Sequence, residues 1–216
     1  MKQDQVKEHF AKQADKYEEL MVKLIPQYLE QHEMIYNLLP KEDKEYRVLD
    51  LGCGNGVLSE VVFRKHPSSY IVAFDLTQDM LNAYDKKLSS YSGQYELKEG
   101  DFRNDPIGDN YDIILAGLTL HHMTWEERKT FYKTIYSALN KGGQFIARDI
   151  VIDEDEKVKA TQYQLWKEFI KSKGEDPEFW CSKHMEKDHP VTISNHSIWL
   201  KEARFSNVAC HWRFYF

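Results

Sequence analysis

Short apolar segments alternate with longer segments of helical periodicity through the middle of the chain. The apolar segments predict strands at 48–51, 70–75, 95–99, 111–116 and 144–150. The periodic segments predict helices that follow the first strand as far as 66 and that cover 78–88 and 124–139. The uninterrupted apolar run at 113–116 is typical of a strand buried on both faces. The alternation therefore predicts an α/β fold with a doubly wound, mostly parallel sheet.

The two ends of the chain depart from this alternation. Apolar side chains at helical spacing predict one helix over 4–20 and a second over 21–39, which we group as an N-terminal helical lid (1–42). Residues 151–192 hold two charged, aromatic-rich segments that we interpret as an inserted helical cap. The remaining predicted elements are a helix at 193–203 and a strand at 208–216.

The chain has 216 residues, which at about 150 residues per domain predicts one domain with an elaboration, over 1–216. We assign 43–150 to its core and 193–216 to a C-terminal helix and strand. The 42% hydrophobic and 30% charged residues exclude global disorder.

The charge and the cysteine content indicate which partners and which cellular compartment to expect. The net charge of −6 disfavours a nucleic-acid partner, because no basic field attracts a phosphate backbone. No run of about 18 apolar residues indicates a membrane span, and the N-terminal residues do not resemble a signal peptide. The three cysteines fit neither a disulfide framework nor a zinc site, so we expect a cytoplasmic protein.

A glycine-rich segment follows the first predicted strand. Gly52, Gly54 and Gly56 stand between this strand and a helix, where backbone N–H groups and a helix N-terminus can approach a nucleotide-like ligand. The dinucleotide fingerprint requires a third glycine three positions after the second, and Val57 stands there. The pattern therefore disfavours NAD or FAD.

Two aspartates indicate what kind of ligand this is. Asp50 lies at the mouth of the loop, where its carboxylate would repel a pyrophosphate but suit an ammonium and a sulfonium. Asp75 ends the second strand 25 residues later, near the ~20-residue offset at which an acid accepts hydrogen bonds from ribose hydroxyls. The predicted ligand is a nucleoside without phosphates.

The motifs together resemble those of a known family. Val48-Leu49-Asp50-Leu51-Gly52-Cys53-Gly54-Asn55-Gly56 closely resembles the first motif of class I methyltransferases that use S-adenosylmethionine. Similar motifs follow in the family's order, at Phe74-Asp75-Leu76, Glu99-Gly100-Asp101-Phe102, Tyr111-Asp112 to His121-His122-Met123, and Leu139-Asn140-Lys141-Gly142-Gly143. The resemblance covers about residues 46–150.

The resemblance implies S-adenosylmethionine as the cofactor and assigns residues to its parts. Asp50 and the loop would hold the methionine part, Asp75 the ribose, and Asp101 with Phe102 the adenine, while Tyr17 would close over the methionine part. The cofactor-binding candidates are Tyr17, Asp50, Leu51, Gly52, Cys53, Gly54, Asp75, Leu76, Met80, Asp101, Phe102, Ala116, Gly117, Leu118 and His121. Other interpretations stay open, because Asp75 and Asp101 also suit turn caps and Tyr17 an apolar helix face.

The family also implies a Rossmann-like sheet of seven strands that ends in an antiparallel hairpin. The chain ends at Phe216, where we expect the final strand still to come. Arg204 stands where similar proteins often have glycine, so a tight helix-to-strand turn there is in question.

Polar residues after the fourth and fifth strands are the catalytic candidates. His121 and His122 lie where the methyl group would point, and Asp149 ends the fifth strand beside Arg148. Histidine could take a proton from an acceptor, although alignment alone can carry methyl transfer. We expect no metal, because neighbouring histidines on a strand point to opposite faces and His184 and His189 are five residues apart.

We therefore expect a methyltransferase that acts on a small molecule by in-line transfer, as a monomer or homodimer. The alternatives are a methyltransferase that modifies tRNA, a carboxy-S-adenosylmethionine-type synthase, and a non-catalytic S-adenosylmethionine-binding regulator. A nicotinamide-dependent reductase is the most distant alternative, because of the missing third glycine.

Overall fold

The computed structural model describes residues 17–214 of the chain. Its helices are α1 (Tyr17–Leu24), α2 (Tyr28–Leu38), α3 (Val57–Lys65), α4 (Gln78–Lys87), α5 (Trp125–Ala138), α6 (Glu156–Ser172), α7 (Pro177–Lys187) and α8 (Ile193–Glu202). Its strands are β1 (Arg47–Leu51), β2 (Tyr70–Asp75), β3 (Tyr95–Glu99), β4 (Tyr111–Gly117), β5 (Leu139–Arg148), β6 (Val151–Ile152) and β7 (Val191–Thr192). Short 3₁₀ turns lie at Ser89–Tyr91 and Leu120–His122.

Five strands form one parallel sheet in the order β3-β2-β1-β4-β5. The strand order reverses at β1, so the loops that leave β1 and β4 diverge from the carboxyl edge of the sheet. A crevice at this edge is the usual ligand site of such sheets. The predicted Rossmann-like α/β fold is confirmed.

The sheet is buried between two layers of helices. Buried residues of α2, α3 and α4 pack on one face, and buried residues of α5 pack on the other with partly buried side chains of α8. In β4 the residues from Ile113 to Ala116 are 0–1% exposed, which agrees with the strand expected to be buried on both faces. The core thereby holds the ends of β1, β2 and β4 in a fixed arrangement.

Helix α1 packs on the cap rather than on the sheet. Met21, Leu24, Trp166 and Ile170 belong to one buried cluster, which joins α1 to α6. The indole nitrogen of Trp166 donates a 2.7 Å hydrogen bond to the carbonyl of Leu24. The described part of the lid and the cap are therefore one packed layer.

Several predicted boundaries need correction. The predicted helix over 4–20 falls largely outside the described residues, and its predicted end at 20 is wrong because α1 continues to Leu24. The helical backbone is interrupted after α1, at Pro26 and at Gln27, where φ is +56°. The fifth strand begins at Leu139, within the turn expected before it, and its register shifts opposite Tyr111.

The C-terminal end differs most from the expectation. The predicted strand at 208–216 is absent from its described part, 208–214, which pairs with no other segment there. The main sheet accordingly has five strands in the described range instead of seven, and β6 and β7 form a separate parallel pair. Arg204 itself takes the left-handed conformation, with φ of +79°. No helix within 17–214 is long and apolar enough to cross a membrane.

Candidate functional site

The glycine loop (residues 52–56) leaves β1 at the carboxyl edge of the sheet. Gly52, Gly54 and Gly56 all have positive φ, between +54° and +85°. A Cβ at Gly52 would lie 2.7 Å from the Cβ of Thr119 and would overlap its hydroxyl, whereas a Cβ at Gly54 would meet nothing within 4 Å. The loop is therefore packed on one side and open on the other, where a ligand can approach the backbone.

Asp75 joins the end of β2 to this loop. Its Oδ2 accepts a 2.9 Å hydrogen bond from the amide of Gly54, and its Oδ1 accepts from the amide and hydroxyl of Thr77 at 3.0 and 3.3 Å. Burial raises the pKa of this carboxyl, and these hydrogen bonds oppose the shift. Asp75 thus shapes the loop and holds Thr77, the N-cap of α4, while its two oxygens keep further lone pairs that could accept from ribose hydroxyls.

Asp50 is a carboxylate at the end of β1 that is only 1% exposed. Ser59 donates a 2.7 Å hydrogen bond to its Oδ2. Burial raises the pKa of Asp50 to about 7, and the negative charge of Asp75 acts in the same direction. A cationic group bound beside Asp50 would remove this penalty, so the position suits an ammonium.

Arg148, at the end of β5, is a functional candidate that the sequence analysis names only as the neighbour of Asp149. Its guanidinium lies over the ring of Tyr28, 4.9 Å from the centroid, and its Nε and Nη1 are buried without a hydrogen-bond partner among the described residues. A Cβ on Gly117 would lie 3.5 Å from its Nη2. A basic residue at the carboxyl end of the fifth predicted strand was the signal in the sequence. Its free N–H groups suit a carboxylate.

The residues expected at the adenine end have partners within the protein. The Asp101 carboxylate accepts hydrogen bonds from Nε and Nη2 of Arg103, at 2.7–3.1 Å, and from the side chain of Asn104. These contacts hold its pKa below the usual value against the effect of burial. Phe102 stacks on Phe131, with ring centroids 5.2 Å apart. Within the chain, Asp101 therefore makes the contacts of a turn cap.

Four other candidates have buried side chains that belong to the protein core, and these are Leu51, Cys53, Met80 and Ala116. Leu76 lies between the end of β2 and the start of α4, next to Asp75. Gly117 and Leu118 leave β4 towards the site, and Leu118 has a φ of +55° with its amide bound to the carbonyl of Arg148 at 2.7 Å.

A second space, the lid cavity, lies between the turn after β4 and the lid and cap helices. Its volume is about 140 Å³. Its lining residues are Tyr17, Leu20, Met21, Leu24, Ile25, Leu118, His121, His122, Ile150, Trp166, Trp180, Lys183, His184, Lys187 and Asp188. Tyr17 is thereby placed at this cavity, and burial raises the pKa of its phenol. The walls are mostly apolar, with polar groups concentrated at the histidines.

The histidine pair lies in the 3₁₀ turn after β4 and not on a strand. The rings of His121 and His122 are in contact, with centroids 4.2 Å apart. Nδ1 of His121 donates to Oδ1 of Asp149 at 2.5 Å, and Nδ1 of His122 lies 2.8 Å from Oδ1 of Asp188. The sequence argument that neighbouring histidines diverge does not hold here, because successive side chains of this turn are not on opposite faces of a strand.

Carboxylates govern the charge of this cluster. Burial lowers the pKa of His121, but the charges of Asp149 and Asp188 outweigh it and the net shift is upward. Burial and the neighbouring His121 lower the pKa of His122. The histidines in turn hold the pKa of Asp188 well below its usual range.

Comparisons with known proteins indicate a methyltransferase domain. Residues 48–143 match the family model described as a methyltransferase domain. A carboxy-S-adenosyl-L-methionine synthase of Shewanella piezotolerans is 26% identical over 170 residues, which cover 76% of this chain and 70% of that protein.

Solved structures share the fold. A putative O-methyltransferase of Nostoc punctiforme superposes with a TM-score of 0.66 at 17% identity, covering 92% of this chain and 55% of that one. Human N-acetylserotonin methyltransferase, solved with S-adenosylmethionine, superposes with a TM-score of 0.53 at 22% identity. The match covers 74% of this chain and 42% of that one. The chain therefore spans about half the length of these two solved structures.

The fold, the glycine loop and the matched domain agree with one another. Residues 48–143 of the chain are similar to a methyltransferase domain, and the fold is shared with solved methyltransferase structures. The matched domain and the human enzyme solved with S-adenosylmethionine support this nucleoside as cofactor or substrate.

Proposed function

We propose that this protein transfers the methyl group of S-adenosylmethionine to a nucleophilic atom of a small molecule held in the lid cavity. One observation carries the proposal: the turn after β4 borders both the glycine loop and the lid cavity. Thr119 of this turn packs against Gly52 of the glycine loop, whereas Leu118, His121 and His122 line the lid cavity. A methyl donor at the loop and an acceptor in the cavity would therefore be neighbours.

The chain offers a charge partner for each end of the methionine part. Asp50 would bind the ammonium, and Arg148 would bind the carboxylate through its buried Nε and Nη1, which have no hydrogen-bond partner within residues 17–214. Asp75 would accept hydrogen bonds from the ribose hydroxyls while it keeps Gly54 in place. The open side of Gly54 leaves room for the ligand against the backbone.

The lid cavity sets the acceptor class. A volume of about 140 Å³ suits a small molecule, and its apolar walls with one polar end suit a compact acceptor with a single nucleophilic group. His121 and His122 would contact that group, and Asp149 would act as a positioning residue through its hydrogen bond to His121. The packed lid and cap would exclude water from the transfer.

When bound, S-adenosylmethionine supplies an activated methyl group with a good leaving group. A lone pair of the acceptor forms the new bond to the methyl carbon as the carbon–sulfur bond breaks, and S-adenosylhomocysteine leaves. The residues of the chain then need only to hold donor and acceptor in line, which accounts for much of the rate in such reactions.

The test begins with calorimetric titration of the full chain with S-adenosylmethionine, S-adenosylhomocysteine and NAD. We expect binding of both sulfur nucleosides, none of NAD, and weaker binding to Asp75→Ala, with Asp79→Asn on the exposed side of α4 as the control. An acceptor screen then measures release of S-adenosylhomocysteine. Failure of either sulfur nucleoside to bind would refute the proposal.

A second candidate is a synthase of carboxy-S-adenosylmethionine, the activity in the name of the Shewanella relative. Its product has one carboxylate more than S-adenosylmethionine, and the unpartnered N–H groups of Arg148 suit a carboxylate. Mass spectrometry of the nucleosides separates the two. Methyl transfer leaves S-adenosylhomocysteine, whereas the synthase leaves a nucleoside heavier than S-adenosylmethionine by a carboxyl group.

The proposal extends to the setting of the protein. We propose one domain in which 43–150 bind the cofactor and the lid and cap enclose the acceptor, in a cytoplasmic monomer or homodimer. The free cysteines Cys53, Cys181 and Cys210 suit a reducing compartment. Light scattering in solution measures the oligomeric state.

A further inference from the structure

Three potential ligand atoms converge at the polar end of the lid cavity. His121, His122 and Asp188 each offer one such atom, and these atoms lie within 4.8 Å of one another. We propose that this His-His-Asp cluster binds a divalent transition-metal ion.

The spacing of the cluster is close to that of a coordination sphere. Oδ1 of Asp188 lies 2.8 Å from Nδ1 of His122 and 3.9 Å from Nε2 of His121. Ligand atoms about 2.1 Å from a shared metal ion lie about 3.0–3.4 Å from each other. Small side-chain rotations therefore convert the present arrangement into a metal site.

Each of two ligands is oriented by a further hydrogen bond. Nδ1 of His121 donates to Asp149, so its Nε2 carries the lone pair and faces Asp188. Oδ2 of Asp188 accepts from Nδ1 of His184 at 2.8 Å, which leaves Oδ1 towards the cluster. A carboxylate behind a ligating histidine is the usual outer contact of protein metal sites.

The backbone holds the two ligand-bearing segments together. The amide of His189 donates to the carbonyl of His121 at 2.7 Å. The buried Arg128 donates through Nη2 to the carbonyls of Met123 and His189, at 3.2 and 2.7 Å. The ligands are thus preorganised although the two segments are more than 60 residues apart in the chain.

The donor set indicates the kind of ion. Two imidazoles and one carboxylate favour Zn²⁺, Fe²⁺, Co²⁺ or Ni²⁺ over Mg²⁺ or Ca²⁺, and three ligands leave positions open. Because the cluster lines the lid cavity, an open position would face the acceptor, and a bound ion would lower the pKa of an acceptor hydroxyl or thiol. This role rests on the proposed function, whereas the binding of the metal does not.

The test is a titration of the metal-stripped full chain with Co²⁺ followed by visible absorption, with Zn²⁺ affinity from calorimetry. We expect one ion per chain, a d–d band removed by Zn²⁺, and little response to Mg²⁺. His122→Ala and Asp188→Asn should each lower Zn²⁺ affinity about 100-fold or more, and Asp149→Asn about 10- to 100-fold. The control is His189→Ala, an exposed histidine next to the cluster, which should bind as the parent does.

Circular dichroism of each variant establishes that it is folded. The absence of stoichiometric binding to the parent, or equal affinity in parent and folded His122→Ala, would overturn the proposal. Binding of S-adenosylhomocysteine is measured on the same samples. Normal nucleoside binding without metal binding would refute the metal site alone, whereas metal binding without nucleoside binding would refute the proposed function alone.

Discussion

The amide of Gly54 donates a 2.9 Å hydrogen bond to Oδ2 of Asp75, which joins the loop after β1 to the end of β2. Asp75 therefore does two things at once. It holds the amide of Gly54 in the glycine loop, and under the proposed function its oxygen atoms would also accept hydrogen bonds from a ribose. An acid that only bound ligand would need no such contact, and a cap alone would not need to reach the neighbouring loop.

Replacing Asp75 by asparagine tests this double role. The amide group of Asn cannot accept from both Gly54 and Thr77, because one of its two ends is a donor. We expect the affinity for S-adenosylhomocysteine to fall at least about tenfold and the free energy of unfolding to fall by about 1–3 kcal/mol. Calorimetry and urea unfolding measure the two effects, and Asp79→Asn should change neither.

Asp50→Asn should separate stability from binding. The folded pKa of about 7 exceeds the unfolded value of about 3.9, so burial of the ionised carboxylate destabilises the fold. This destabilisation is complete above pH 7 and disappears as the pH falls towards 4. Asn removes the charge but still accepts the hydrogen bond from Ser59. The variant should therefore be more stable than the parent at pH 8, by up to about 4 kcal/mol, and the difference should fall to about 1.5 kcal/mol at pH 5.

The affinity of the same variant should change in the opposite direction. Under the proposed function the ionised carboxylate would bind the ammonium of the ligand, so parental affinity for S-adenosylhomocysteine should rise as the pH passes about 7, and the affinity of Asp50→Asn should be low at every pH. Thermal melts and calorimetry across pH 5–8 provide both curves. A less stable variant at pH 8 would contradict the desolvation argument.

Elements governed by local patterns were predictable from the sequence. The strands at 70–75 and 95–99 have their predicted bounds, because in each case the strand-like segment ends at an acidic residue or a turn. The segment 208–214 contains residues typical of strands but has no partner strand in the described fold. Strand propensity describes how a side chain fits a sheet, and whether a sheet edge is available depends on the whole fold.

The contacts of the candidate site also divide into those between motifs that the sequence shows and those that depend on the whole fold. The Gly54–Asp75 contact joins two motifs that the sequence already singles out. By contrast, Arg148 meets Tyr28 from far along the chain, and Asp188 reaches His122 from the end of α7. No periodicity encodes these contacts, because they depend on how the lid and cap pack over the sheet.

The loop glycines should respond differently to alanine. Gly52→Ala meets both a positive φ and the side chain of Thr119, so we expect a loss of about 2–4 kcal/mol in stability, only partly restored by Thr119→Gly. Gly54→Ala has open space and should lose only about 1–2 kcal/mol. Its methyl group would occupy the side open to ligand, so its affinity for S-adenosylhomocysteine should fall more than its stability suggests. Equal unfolding energies for the two variants would contradict this distinction.

Arg148→Met tests the carboxylate contact. Methionine keeps an unbranched side chain over Tyr28 and removes the buried N–H groups that have no described partner, so the folded protein should be as stable as the parent or more so. Affinity for S-adenosylhomocysteine should fall about 10- to 100-fold, since a charge-assisted contact is worth about 1.5–3 kcal/mol. Affinity for 5′-methylthioadenosine, which lacks the amino-acid part, should stay the same. Arg64→Met is the matched control, because Arg64 also lies over a tyrosine ring, at 4.7 Å from that of Tyr36, but far from the glycine loop. Equal losses for both nucleosides would show that Arg148 supports the pocket only through packing.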